Sequence, residues 1–144
     1  MGKVIRMKKA MCLLLLILLF SFSLVPEAFA VNLSGVITPY YSYTNTTKTD
    51  LYISSSGLAT ATGNVVGYQD KTTKVNMYLY LQRYDGSNWV NIENWSKSDE
   101  NYRLTLTGTS YVSKGYTYRV KAYYYVYSGT DYESIIRYSN NVIF

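Results

Sequence analysis

Two patterns of hydrophobicity divide the chain. Residues 1–30 open with Lys3, Arg6, Lys8 and Lys9, continue through an apolar run from Met11 to Val25 that is unbroken between Leu13 and Phe20, and end on Ala28-Phe29-Ala30. After Val31 no segment repeats its apolar positions at helical spacing. Short runs alternate apolar and polar residues instead, with turn residues between them, the period of strands whose two faces see different surroundings. The alternation predicts strands near Val36 to Tyr43, Leu58 to Tyr68, Thr73 to Tyr84, Asn88 to Trp95, Tyr102 to Gly108, Tyr116 to Tyr127 and Tyr132 to Ile143. Thr44 to Thr49 reads as a polar loop, and a further segment opens at Asp50 to Ser54. With seven or eight strands and no linker or tandem repeat, residues 31–144 are expected to form one all-β domain, a sandwich or a barrel.

The clearest local structure is a hairpin. Val75, Met77, Leu79 and Leu81 alternate with Asn76, Tyr78, Tyr80 and Gln82, and Asp85-Gly86-Ser87-Asn88 supplies turn chemistry, because Gly accepts positive φ and Asp or Asn satisfies turn backbone groups. A turn of those four residues sets Tyr84 opposite Trp89, Gln82 opposite Asn91, Tyr80 opposite Glu93 and Tyr78 opposite Trp95. The other face then pairs Leu81 with Ile92 and Leu79 with Asn94. One face is aliphatic and the other aromatic and polar, a sorting that a one-residue slip would destroy. Tyr116 to Tyr127 alternates as well. Tyr116, Tyr118, Val120, Ala122, Tyr124 and Val126 make the expected core face, opposite Thr117, Arg119, Lys121, Tyr123, Tyr125 and Tyr127. Each buried tyrosine there needs a partner for its hydroxyl, at a cost of about 1–3 kcal/mol if it has none.

The stretch Gly115-Tyr116-Thr117-Tyr118-Arg119-Val120-Lys121-Ala122 resembles the sixth strand of immunoglobulin-like and fibronectin type III domains. The resemblance implies an immunoglobulin-like antiparallel β-sandwich in which Tyr118 makes the tyrosine corner, its hydroxyl bonded to backbone a few residues upstream. The wider pattern resembles small secreted proteins of Gram-positive bacteria that form a family of unknown function. It is carried by Ser55-Ser56-Gly57-Leu58-Ala59, by Leu81-Gln82-Arg83 with Gly86 to Trp89, and by Lys114 to Ala122, and it covers essentially the whole chain after the leader. These motifs look like framework and imply no catalytic residues. The chain departs from fibronectin-type domains in having no core tryptophan on an early strand, the first being Trp89.

The leader changes how composition is read. A basic tip, an apolar run shorter than the roughly 20 residues of a membrane span, and a small-residue site describe a cleaved export signal. The working protein is expected to start at Val31 and to be secreted and extracellular, with no membrane contact after cleavage. No hydrophobic tail precedes Phe144, so free release is expected. The full chain carries a formal charge of +5. After Val31 only ten basic and eight acidic residues remain, with no basic run, which removes the case for a nucleic-acid partner. The chain has no histidine, and its only cysteine, Cys12, lies in the leader, so about 114 residues must hold one core without a disulfide. All 18 tyrosines follow the leader.

Catalysis is poorly supplied. Without His or Cys in the working chain there is no Ser-His-Asp triad, thiol nucleophile or ordinary zinc site. A glycosidase needs only two carboxylates, yet Asp70, Asp85, Glu93, Asp99, Glu100, Asp131 and Glu133 fall mostly in predicted turns, where solvated acids are the rule. Asp99-Glu100 and Asp131 to Glu133 lack the oxygen density of a dedicated calcium site. No catalytic residue, metal or cofactor is therefore expected. The positive candidate is a sheet face presenting Tyr78, Tyr80, Tyr84, Trp89 and Trp95 beside Arg119, Lys121, Tyr123 and Tyr125. Tyr and Trp offer stiff amphipathic contact area, and the two cations add cation–π contacts or hold anionic groups. The leading expectation is a non-enzymatic binding or adhesion module whose partner is a cell-surface glycan or protein. Competing readings are a self-associating surface or matrix protein, an outer-membrane barrel and a small hydrolase. Aromatic pairs that merely stabilise an exposed sheet would account for the same residues.

Overall fold

The computed structural model describes residues 40–144. The expected leader with Cys12, the cleavage site before Val31, and the start of the expected first strand at Val36 lie outside the described residues. Eight strands follow one another: β1 (Thr44–Ile53), β2 (Leu58–Gly67), β3 (Lys74–Tyr84), β4 (Trp89–Asp99), β5 (Arg103–Tyr111), β6 (Thr117–Ser128), β7 (Asp131–Tyr138) and β8 (Val142–Ile143). They form two antiparallel sheets, one ordered β1-β2-β5 and the other β4-β3-β6-β7, with β8 also paired to β6. The described residues form the expected immunoglobulin-like antiparallel β-sandwich. Among the described residues β4 does not pair with β5, nor β1 with β7, so the strands stay in two layers and the barrel reading falls.

The two inner faces differ in size. The larger sheet contributes Val75, Met77, Leu79, Leu81, Val120, Ala122, Tyr124, Val126 and Ile135. The smaller one offers Ala59, Ala61, Val65 and Leu104, with Gly63 among them. Large residues on one layer meet small ones on the other, which lets the layers interdigitate at interior density. A Cβ on Gly63 would come within 2.5 Å of Met77 Sδ and 2.9 Å of Leu79 Cδ2. Both buried tyrosine hydroxyls find partners. Tyr118 Oη donates to Ser113 O at 2.8 Å, five residues upstream, the bond that the resemblance implies for this tyrosine. Tyr124 Oη crosses the core, donating to Lys48 O at 2.6 Å and lying 2.7 Å from Thr49 Oγ1.

Four expectations are corrected. Thr44 to Thr49, read as a loop, is the first half of β1, and the described residues just before it are not strand. Its inward positions are threonines rather than aliphatics, and their hydroxyls are satisfied by distant groups: Thr49 by Tyr124, and Thr47 by Arg137 Nε at 3.1 Å. The stretch expected as one strand from Tyr132 to Ile143 is two. Buried Ser139 interrupts it, exchanging bonds with Val120: Ser139 N donates to Val120 O and Ser139 Oγ accepts from Val120 N. Tyr116, assigned to the core face, lies before β6 and is 40% exposed, its ring under the Arg83 guanidinium at 4.5 Å.

The fourth correction concerns the hairpin. Tyr84↔Trp89 and Gln82↔Asn91 pair as the turn dictates, but Leu81 then pairs with Glu93. Ile92 is an unpaired bulge residue, and such an insertion reverses which face each later side chain meets. Trp95 therefore stands opposite Leu79, and Tyr78 stands opposite Ser96. Ile92, expected to face Leu81 in the core, is 38% exposed.

Candidate functional site

The outer face of the larger sheet is built by the alternation of β3, β6 and β7. The registers align Asn94, Tyr80, Lys121 and Tyr138 in one row, and Ser96, Tyr78, Tyr123 and Ile136 in the next. Asn91, Gln82 and Arg119 make a third row, and Ser98, Asn76, Tyr125 and Ser134 a fourth. The rings interlock edge to face. Tyr78 and Tyr125 have centroids 5.9 Å apart at 90°, and Tyr80 and Tyr123 are 5.8 Å apart at 80°. Tyr132 extends the array, 5.4 Å from Tyr127 and 5.9 Å from Tyr125. Pairs of this geometry contribute about 0.5–1.5 kcal/mol each beyond their buried area, so the platform is stiff before anything touches it.

Arg119 is held in place. Its guanidinium lies 4.0 Å from the Trp89 ring centroid and 4.4 Å from that of Tyr138. Its Nε donates to Gln82 Oε1 at 2.8 Å, and Gln82 Nε2 donates to Asn91 Oδ1 at 2.7 Å. Gln82 is only 6% exposed, so this chain of bonds satisfies a buried amide beneath the face. Lys121 lies 4.8 Å from the Tyr123 ring centroid and 5.9 Å from that of Tyr138. The Tyr123 hydroxyl beside it pushes its pKa above the usual lysine value, so it stays cationic at neutral pH.

Together these side chains leave an open groove of about 310 Å³ lined by Tyr78, Tyr80, Gln82, Asn91, Lys121, Tyr123 and Tyr125. A second depression of about 270 Å³ continues past Tyr78 and is lined by Lys74, Asn76, Ser96, Lys97 and Ser98. Of the nine residues expected on this face, Tyr78, Tyr80, Lys121, Tyr123 and Tyr125 line the first groove. Tyr84, Trp89 and Arg119 make its flank, Tyr84 and Trp89 with rings 5.4 Å apart.

Trp95 does not belong to the face. The bulge turns it inward, where it packs against the core and over Gly108 of β5, so that a Cβ on Gly108 would overlap the indole. Trp95 thus fills the gap between layers on the β4 side. Gln82 and Asn91, which the hairpin register already sets beside Tyr80, and Tyr138 are not among the nine candidate residues. The parity that selects Tyr78 and Tyr80 also selects Gln82, and Tyr138 shares its parity with Tyr132.

The carboxylates do structural work. Asp85 accepts from Ser87 N at 2.8 Å and Asn88 N at 2.7 Å, bonds that lower its pKa below the usual carboxylate value. Glu100 pairs with Lys74 at 2.7 Å and raises the lysine's pKa. Glu93 accepts from Asn94 N. Glu133, on the inner side of β7, accepts from the backbone N–H of Ser42, Tyr43 and Thr44 and from Thr44 Oγ1. It ties the start of β1 to the opposite sheet. Among the described residues no three acidic side chains gather as a metal-holding group.

Compared with known protein families and with curated proteins, the chain matches none. Among solved structures it is similar to the solution structure of CsgH from R. palustris, at 12% identity and a TM-score of 0.37, covering 63% of this chain and 90% of that one.

Proposed function

We propose that the chain is an exported, non-catalytic binding module that holds a carbohydrate polymer on the outer face of its larger sheet. The observation that carries this reading is the groove walled by Tyr78, Tyr80, Tyr123 and Tyr125. Its rings are braced against one another, and Gln82, Asn91 and Lys121 line it beside them. Sugar rings present apolar C–H faces and a rim of hydroxyls, which stacked aromatic edges and amide groups such as Asn91 complement. The leader supports export, and the acids named above are engaged in turns and tethers rather than aimed at this groove.

Self-association through sheet edges is less well served. The β4 edge carries a bulge at Ile92 together with Glu93, Lys97 and Asp99, features that discourage edge-to-edge pairing. The test is a pull-down of the chain from Val31 onward with insoluble cell-wall and plant polysaccharides, compared with a Tyr80→Ser, Tyr123→Ser double variant. The variant should keep its thermal transition and lose retention. Equal retention of a folded variant would remove the proposal.

A further inference from the structure

Resting on that reading, the structure assigns a ligand class to the groove: we infer that it takes an acidic polysaccharide whose pyranose rings carry carboxylates, a uronate polymer. Three observations converge. First, the two contiguous depressions share Tyr78 and place Lys121 in one and Lys74 and Lys97 in the other. Second, no carboxylate lines either depression among the described residues; Lys74 is paired with Glu100, while Lys121, Lys97 and Arg119 have no acidic partner among the described residues. Cations in a groove without acids raise the local concentration of anions. Third, the floor between the cations is made of rings. A linear phosphate polymer would use the charges and leave Tyr78, Tyr80, Tyr123 and Tyr125 unoccupied. A uronate ring uses both, stacking on a tyrosine while its carboxylate meets the Lys121 ammonium.

Arg119 has a different task. Its guanidinium is sandwiched between Trp89 and Tyr138 and bonded to Gln82. It positions the groove floor, and Lys121 makes the contact.

The experiment is affinity electrophoresis and titration calorimetry of the chain from Val31 onward. The probes are polygalacturonate, the same polymer with its carboxyls reduced to alcohols, and poly(glycerol phosphate). Polygalacturonate should bind best, and its affinity should fall as salt rises from about 0.05 M to about 0.5 M, where the screening length shrinks to a few ångströms. Lys121→Met keeps the stem and removes the charge. It should weaken polygalacturonate about ten-fold or more, the scale of a lost charge-assisted hydrogen bond, and leave the reduced polymer nearly unchanged. Equal affinity for the native and reduced polymers, or an unaltered Lys121→Met, overturns the inference while the carbohydrate-binding reading stands. Preference for poly(glycerol phosphate) also overturns it. Failure to bind any of the three polymers, together with loss of nothing in the Tyr80, Tyr123 variant, overturns both.

Discussion

Gly108→Ala decides where Trp95 lies. In an exposed or neutrally packed strand, replacing Gly by Ala stabilises, because it narrows the unfolded ensemble by about 0.4–1 kcal/mol. Gly108 is not among the glycines at positive φ, so its backbone accepts alanine. The obstacle is the indole: Cδ2, Cε2 and Cε3 of Trp95 are the atoms nearest to where the methyl group would sit, close enough to overlap it. Trp95 must then leave its seat or the layers must part. Overpacking of this kind costs about 1–3 kcal/mol. At about 4–8 °C per kcal/mol for a domain of this size, Tm should fall by roughly 5–20 °C. Trp95→Ala empties the same space, and in that background Gly108→Ala should turn neutral or stabilising. The pair therefore couples by more than about 0.5 kcal/mol, well beyond what independent sites show. Urea denaturation of the four proteins of the cycle measures this, and tryptophan emission of Gly108→Ala should shift red as the indole is expelled. A stabilising Gly108→Ala in the wild-type background, or additive effects, would refute the inward Trp95 and with it the bulge at Ile92.

Two further outcomes follow from the tethers and the buried rings. Glu133→Gln leaves one carbonyl oxygen to face the donors of Ser42, Tyr43 and Thr44 and adds an amide that cannot accept from them. It should destabilise by about 2–4 kcal/mol, since charged acceptors contribute about 1.5–3 kcal/mol per bond; a loss below about 0.5 kcal/mol in urea denaturation would show that the tether carries no weight. Burial raises the pKa of Tyr118 and of Tyr124. Folding therefore favours their protonated forms, and that share of stability is complete below the ordinary tyrosine value and lost as pH rises through the folded one. Stability should be level from neutrality to about pH 10 and then decline, with Tyr124→Phe flattening the decline; a Tm unchanged well above that pH would contradict the burial.

Much of the layer architecture is legible along the chain. The alternation in β2, β3 and β6 marks which residues face inward, and all of Val75, Met77, Leu79, Leu81, Val120, Ala122, Tyr124 and Val126 are buried as it predicts. The turn at Asp85 sets the near end of the hairpin, because its geometry acts over a few residues. The candidate face is legible for the same reason: Tyr78, Tyr80, Lys121, Tyr123 and Tyr125 share strand parity, and the register places them side by side. β1 is not legible, because Thr47 and Thr49 look like loop residues until Arg137 and Tyr124 are brought against them. Nor is the single interruption at Ser139, whose partner Val120 lies on another strand.

Trp95 separates the two kinds of information most cleanly. Local pattern alone determined that the chain after the leader is a set of amphipathic strands, with Tyr78, Tyr80, Tyr123 and Tyr125 on outward positions and Tyr118 and Tyr124 on inward ones, since side-chain alternation is a property of each strand by itself. Only the tertiary structure decided that one bulge would move Trp95 from that face into the gap beside Gly108. The free energy favouring the move comes from filling space on β5, which no segment of β4 can specify alone.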